Sequence, residues 1–378
     1  MQPLPADGPA DPWFQPVWED GDDDPPPLPR RLPARPAAPA PAPDGFIGVN
    51  FPALLGPLTA AQDALARLDA VAAAAPEPVR EGLIARLAFR EAAGWLAIVG
   101  CWVHPRDLAL RAAHLIGATE LPNTTGHHWE DMDSTARLLA EGHVATLALT
   151  RFLRNLARQP KLLADADAAL AALAPLTGAA DPFRFATWRA RWSGKSPTPA
   201  LLPAALAATD WMTAGVTDHP SSLAALTAGA ALLAAAGTLR TTPLPFWAAA
   251  PALAAGDPDS LPRLKSAAAA RLSSAGPPAW PGVFLALVAE AARAGLRELD
   301  RLQAAAAAGA ALTAAIDQRG RLPDAVDVVL REPAVTAKSL ARHLRITPQA
   351  ALRLLTALAK AGAVRETTGR RSFRAFAI

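Results

Sequence analysis

Alanine and leucine recur at helical spacing over most of this chain. Between about residues 57 and 317 they return every three or four positions, as in EPVREGLIARLAFREAAGWLAIVG (77–100), and β-branched residues almost nowhere alternate with polar ones. A period near 3.6 residues predicts amphipathic helices, whereas half-buried strands need a period of two. The sequence therefore predicts an all-helical body, which we assign to residues 46–317.

Two long helices and one helix start are predicted within this body. The stretches 132–158 and 281–317 are the longest helical patterns, and each is a candidate face for a homodimer, although neither carries a clean heptad repeat. Thr59 followed by Gln62 forms a capping-box pattern, which predicts that the first helix begins at Thr59.

Residues 1–45 have a different composition. They contain 14 prolines and the acidic run EDGDDD (19–24). Such a segment cannot bury enough apolar surface to offset the entropy lost on ordering, so we predict a disordered leader. It is either an acidic tail that contacts a partner or shields a basic region, or a solubilising leader, and we favour the second interpretation.

Basic residues are concentrated in the last part of the chain. Residues 336–378 carry nine basic side chains and one acidic side chain, although the formal net charge of the whole chain is +3. The other 335 residues therefore have a net charge of −5. A basic segment attached to an acidic body predicts an anionic partner for that segment.

Three helices and a hairpin are predicted at this end, after a boundary at DQRGRLPD (317–324). The first helix is LPDAVDVVLRE (322–332). Thr336 is placed to cap the second helix, and Thr347 to cap the third helix, 347–361, after a tight turn. Short strand-like runs on either side of Gly369 then predict a β-hairpin wing.

This order of elements resembles the winged helix-turn-helix domains of bacterial DNA-binding proteins. TAKSLARHLRITPQAALRLLTALAKAGAVRE (336–366) carries the resemblance to their second and third helices and first wing strand. The resemblance implies that helix 347–361 lies in the major groove of double-stranded DNA with the basic wing on the backbone. The whole fold class expected is thus all-α: a multi-helix body plus a small winged helix-turn-helix domain, 318–378.

Individual DNA contacts follow from the residue types. Gln349 and Arg353 are four residues apart on one helix face, and these side chains pair with adenine and guanine respectively. The Thr347 hydroxyl and the helix N-terminus suit a phosphate. The remaining candidates for contacts with DNA are basic: Lys338, Arg345, Arg370, Arg371 and Arg374. The alternative is a winged helix used for protein contact, with its basic side chains merely solvated.

From about residue 57 the chain also resembles an uncharacterised proteobacterial family, common in rhizobia, in which a helical domain of unknown function precedes a helix-turn-helix. The resemblance rests on LARLDAV (65–71), VREGLIARLAFREAAGWLAIVGCWVHPRDLALR (79–111) and VRETTGRRSFRAFAI (364–378). It implies DNA binding and no established activity.

Residues 65–111 resemble, more faintly, the N-terminal helices of Fic-type adenylyl transferases, some of which also end in a winged helix. Those enzymes need His-Pro-Phe followed by an acidic residue, and a Gly-Asn-Gly-Arg loop. Here His104-Pro105 is followed by Arg106 and Asp107, and no Gly-Asn-Gly-Arg occurs. We therefore expect no enzymatic activity; a diverged Fic-like enzyme would require a pocket lined by His104, Arg106, Asp107 and His128.

Other candidate sites favour structural interpretations. HHWEDMD (127–133) contains metal-ligand types, but adjacent histidines in a loop rarely face one metal ion, so we expect no metal and no cofactor. The ten tryptophans are expected mainly in the core. One cysteine, Cys101, indicates a reducing compartment. The prediction is a cytoplasmic bacterial DNA-binding protein, a transcriptional regulator without a membrane anchor, whose body senses a small-molecule or protein effector or mediates assembly.

Overall fold

A computed structural model of the chain describes residues 51–98, 102–113, 147–156, 161–177, 180–194, 198–217, 222–260, 262, 279–315, 320–368 and 374–378. The body comprises these helices: α1 (Phe51–Ala74), α2 (Glu77–Ile98), α3 (Pro105–Ala112), α4 (147–156), α5 (Ala166–Thr177), α6 (Pro182–Trp192), α7 (Leu201–Ala214), α8 (Ser222–Ala235), α9 (Phe246–Gly256) and α10 (Ala279–Ala315). A 3-10 turn covers Leu162–Ala164.

Helix α10 forms the centre of the body. It packs along α1 and also contacts α2, α7 and α9. Helix α8 is apolar on all sides and buried from Leu223 to Ala234, as expected for a helix inside a core. A Cβ at Gly229 would lie 2.8 Å from the ring of Phe284, so this glycine lets α8 approach α10 closely. Among the described residues, four tryptophans are fully buried: Trp188, Trp211, Trp247 and Trp280.

The predicted all-α body is confirmed, but one helix start was wrong. Helix α1 begins at Phe51, and the Thr59 hydroxyl donates to the carbonyl oxygen of Leu55 at 2.8 Å instead of capping a helix. Pro57 lies inside α1, where it removes only one donor near the helix N-terminus. The added residues 51–58 make about two helical turns. They bury Leu54, and this apolar burial offsets the loss.

Helix α10 matches the predicted helix 281–317 closely. Of the predicted helix 132–158, the structure describes 147–156, which is helical. The leader 1–45, Cys101 and the segment 127–133 lie outside the described residues. No helix among the described residues combines the length and the apolar character that crossing a membrane requires.

The C-terminal part contains the predicted three helices and wing. Its elements are α11 (Leu322–Arg331), β1 (Val335–Thr336), α12 (Ala337–Leu344), α13 (Pro348–Lys360), β2 (Arg365–Glu366) and β3 (Ala375–Ala377). The strands form an antiparallel sheet in the order β1-β3-β2, with Val335 opposite Phe376 and Glu366 opposite Phe376 on the other side. The fold is therefore all-α with a C-terminal winged helix-turn-helix; strand β1 was not predicted.

The buried core is continuous from the body into the C-terminal part. One apolar cluster contains Leu54 at one end of the described chain and Phe376 at the other. Helix α11 packs against both α2 and α10. The domain boundary between residues 317 and 318 stays a prediction, because the apolar core continues across it.

Candidate nucleic-acid interface

Helix α12 is fixed at its start by a reciprocal cap. The Ser339 backbone N–H donates to the Thr336 hydroxyl at 3.1 Å, and the Thr336 backbone N–H donates to the Ser339 hydroxyl at 2.9 Å. The helix then buries Leu340 and Leu344. This cap satisfies two backbone donors and confirms the predicted capping role of Thr336.

The turn between α12 and α13 is closed by the backbone. Arg345 has left-handed backbone angles, φ 55° and ψ 47°, and ends α12. The Ile346 N–H donates to the carbonyl oxygen of Ala341 at 3.0 Å. Thr347 then caps α13 by accepting from the Ala350 N–H at 3.3 Å, and Pro348 is in the first turn, as the sequence predicted. The turn residues Arg345 and Thr347 both have exposed side chains.

Helix α13 has one buried and one exposed face. Ala351, Leu355 and Leu358 are buried against the other helices. On the opposite side Gln349 and Arg353 are exposed together, which matches the shared face that the sequence predicted. Packing of the apolar stripe therefore fixes the direction in which these two polar side chains point.

Basic side chains on α12, at the turn after it and on α13 are exposed to solvent. We call the following set the basic face: Lys338, Arg342, Arg345, Arg353 and Lys360. Each is exposed, and none makes a side-chain hydrogen bond or ion pair with another residue in the described ranges. These charges are thus available to a ligand.

The wing arginines have different positions. Arg374 is half-buried beside β3, where its guanidinium donates to the Glu366 carboxylate at 2.5 Å and lies 5.4 Å from the centre of the Phe376 ring. The hydrogen bond from Arg374 lowers the pKa of Glu366. Arg370 and Arg371 lie outside the described residues. Arg374 therefore stabilises the base of the wing. A DNA phosphate would have to compete with Glu366 for the Arg374 guanidinium.

The winged helix is attached to the body by Arg86, which the sequence reasoning missed. The buried Arg86 guanidinium donates to the carbonyl oxygens of Leu330 at 2.6 Å, Val329 at 3.0 Å and Glu332 at 2.8 Å. These carbonyls belong to the C-terminal end of α11, where a helix leaves acceptors unsatisfied. A Cβ at Gly82 would lie 1.9 Å from the Leu330 oxygen, so the glycine permits this contact.

Three arginines converge on one buried carboxylate next to this contact. Glu298 of α10 lies 3.0 Å from Arg90, 3.3 Å from Arg301 and 3.8 Å from the Nε of Arg86. Burial lowers the pKa of Arg86 to about 10, while Glu298 and Glu332 oppose that change. Arg86 therefore stays protonated at neutral pH.

The residues named for a Fic-like enzyme are placed only in part. His104 and Arg106 line one cavity beside the winged helix. Asp107 lies next to them, with an oxygen 3.7 Å from the Nε of Arg106. His128 lies outside the described residues. Within the described part of the chain, no three side chains of histidine, cysteine or acidic type are grouped to hold a metal ion.

Comparison with known proteins identifies the class of the C-terminal part. Residues 322–378 match the family described as HTH DNA binding domain. This match covers α11 through β3, and it includes the two helices that carry the basic face. The chain therefore carries a helix-turn-helix DNA-binding domain.

A curated relative supports the rhizobial resemblance. The chain is 37% identical over 91 residues to the uncharacterized protein y4cF of Sinorhizobium fredii. The matched stretch covers 23% of this chain and 22% of the relative's length. The chain thus matches about a fifth of that protein. The similarity of the body to Fic-type helices is not confirmed by either comparison and stays a prediction.

Proposed function

We propose that this protein is a bacterial transcriptional regulator that binds double-stranded DNA with α13 in the major groove. The observation that carries the proposal is the basic face: five exposed cationic side chains without partners among the described residues, on a helix-turn-helix. Unpaired cations on one face are the electrostatic footprint of a phosphate backbone.

The base contacts proposed for α13 depend on its orientation. Because Ala351, Leu355 and Leu358 face the core, Gln349 and Arg353 face outward near the start of the helix. N-terminal residues of a recognition helix are those that reach base edges. We assign adenine to Gln349 and guanine to Arg353, with the Thr347 end of the helix on a phosphate.

The remaining parts of the proposal concern the backbone and the assembly. We assign Lys338, Arg345 and the wing arginines Arg370, Arg371 and Arg374 to phosphates. A homodimer would place two such helices on two half-sites, which multiplies both affinity and specificity. Since its ligand is DNA, we expect the protein to act in the cytoplasm.

Salt dependence of DNA binding tests the proposal. The full chain is titrated with random duplex DNA at several salt concentrations. We expect affinity to fall linearly on a log-log plot, with a slope of about −0.9 for each phosphate neutralised. Lys338→Ala should weaken binding uniformly across sequences and reduce the slope by roughly one contact.

Arg67→Ala is the control, because Arg67 is exposed on α1 and already paired with Asp63 at 2.9 Å. It should leave both affinity and slope unchanged. Absence of binding even at low salt would rule out the regulator. Salt-insensitive binding of a protein by the winged helix would then favour the interaction-module alternative.

A further inference from the structure

A cavity of about 670 Å³ lies where the winged helix meets the body. It is bounded by α2, the start of α3, α10, the residues after α13 and the wing strands. Five arginines and one acidic side chain contribute to its lining: Arg86, Arg90, Arg106, Arg301, Arg365 and Glu298. The cavity is therefore lined by a large excess of positive charge.

Arg86 is compensated by the carbonyl oxygens of α11, but the protein compensates the other arginines only in part. Arg90 and Arg301 share the single carboxylate of Glu298. The Nε of Arg106 is buried and makes no hydrogen bond within the described residues, its nearest anionic atom being the Asp107 oxygen at 3.7 Å. A buried donor without a partner is destabilising, so an acceptor at this position would be stabilising.

The start of α3 adds to the positive potential. His104 caps this helix, and its Nδ1 accepts from the Arg106 N–H at 3.2 Å. Burial lowers the pKa of His104, and Arg106 and Arg90 lower it further, while Asp107 acts in the opposite direction. After burial, the two nearby arginines disfavour the charged form of His104, as expected where positive charge is in excess.

The volume of the cavity and the apolar part of its lining indicate which kind of ligand fits. Small-molecule sites commonly enclose about 300–1,000 Å³, a range that includes this cavity. Phe89, Ala304 and Val364 supply apolar surface among the arginines. Guanidinium groups bind carboxylate and phosphate oxygens in pairs with fixed geometry.

We propose that this cavity is a binding site for a small organic anion that carries phosphate or carboxylate groups. Arg106 and Arg301 contact the anionic group, and the apolar residues contact the rest of the molecule. Because body and wing strands both line the cavity, the ligand bridges them. Any effect on DNA affinity rests on the proposed function above, whereas the binding site itself does not.

Calorimetric titration of the full chain with inorganic pyrophosphate, citrate and AMP tests the site, at constant ionic strength and without DNA. We expect saturable binding of at least one probe at millimolar concentration or below. Arg106→Gln and Arg301→Gln should each weaken that binding about tenfold, which is roughly 1.4 kcal/mol. Neither side chain is fully buried, and thermal unfolding checks that each variant remains folded.

Arg293→Gln is the matched control. Arg293 lies on the same helix, and pairs with Glu290 three residues before it, as Arg301 pairs with Glu298. It does not line the cavity. Binding should be unchanged in this variant. Equal weakening in all three variants would mean nonspecific ion screening and would overturn the proposal.

Three further outcomes distinguish a small anion from the DNA backbone as the ligand of these arginines. If no probe binds, and Arg106→Gln and Arg301→Gln instead weaken DNA binding, the arginines serve the DNA backbone and the proposal is wrong. If no probe binds and DNA binding is unchanged, the proposal is equally overturned, while the regulator remains. If a probe binds without changing DNA affinity, the site is supported and its coupling to DNA is excluded.

Discussion

Arg86 and Arg353 occupy opposite environments in this molecule. Arg86 is 6% exposed and donates to carbonyl oxygens of α11, beside the Glu298 carboxylate. Arg353 is exposed on α13 and has no side-chain partner among the described residues. A charge removed from water must be compensated by the protein, whereas an exposed charge remains hydrated at little cost. Arg86 is therefore structural, and Arg353 is available to a ligand.

The same contrast separates the basic face from the arginines around Glu298. The basic face has no acidic side chain paired with it among the described residues, so its charges add to one field that attracts DNA. Around Glu298, three arginines surround one carboxylate that is 5% exposed. Substitutions should therefore change stability at the buried arginine and change binding at the exposed ones.

Arg86→Met should have the largest effect. It removes the donors to the carbonyl oxygens of α11 and one cation from Glu298. Breaking a buried charged contact by removing one partner costs about 3–5 kcal/mol. Urea unfolding of the full chain measures the change. Arg67→Met is the control, because its exposed pair should contribute less than about 1 kcal/mol; equal costs for the two variants would refute the structural role of Arg86.

Glu91 is a buried carboxyl that has no paired cation among the described residues. Its contribution to stability should therefore depend on pH. Glu91 accepts from the backbone N–H groups of Trp247 at 2.6 Å and Ala248 at 3.4 Å. Burial raises the pKa of Glu91 from 4.5 to about 8, and the two N–H donors only partly oppose this. The folded state therefore binds the proton more tightly than the unfolded state.

The free energy of unfolding should consequently fall as pH rises from 4.5 to about 8. The contribution of Glu91 is complete below pH 4.5 and is lost through this window, by roughly 1.4 kcal/mol per pH unit. Urea unfolding at several pH values, compared with Glu91→Gln, isolates this carboxyl. Parallel pH profiles for the two proteins would show that Glu91 is ionised in both states.

Local signals explain which parts of the fold were predictable from the sequence. Thr336 and Thr347 cap helices through side chains within three residues, so the starts of α12 and α13 follow from local sequence. The stripe of Ala351, Leu355 and Leu358 likewise fixes the exposed face of α13. The same kind of signal failed at Thr59, because burial of Leu54 extends α1 beyond the local cap pattern.

The contacts of Arg86 could not be predicted in this way. Its partners are more than 240 residues away along the chain. Gly82, four residues before Arg86, was the available signal, because a glycine inside a helix often marks a close backbone approach. The cavity beside it depends on side chains from α2, α3, α10 and the wing, and no single segment carries its pattern.

Arg353→Ala tests the exposed arginine of the pair. Once a target sequence has been selected from random duplexes with the unmodified protein, this variant should lower the preference for that target over random duplex by about 1–3 kcal/mol, because a bidentate contact to guanine is lost. The free energy of unfolding should change by less than about 0.5 kcal/mol, as expected for an exposed side chain without a hydrogen-bond or ion-pair partner among the described residues. Competition binding and urea unfolding measure the two effects. A large loss of stability without loss of sequence preference would place Arg353 with the structural arginines.

Arg345→Gly should have a small effect on stability, and in the favourable direction. Arg345 has φ 55°, a left-handed conformation that costs a side-chain-bearing residue about 1–2 kcal/mol. Glycine relieves that strain but loses roughly 0.5–1 kcal/mol through the entropy of the unfolded chain, so a net gain below about 1 kcal/mol is expected.

Arg342→Gly is the matched control, since Arg342 is exposed in α12, where glycine destabilises by up to about 1 kcal/mol. Both variants remove one cation from the basic face and should weaken DNA binding alike, while their effects on urea unfolding have opposite signs. Equal destabilisation by both would mean that Arg345 is not left-handed in solution; an unchanged DNA affinity in both would exclude this end of α12 from the interface.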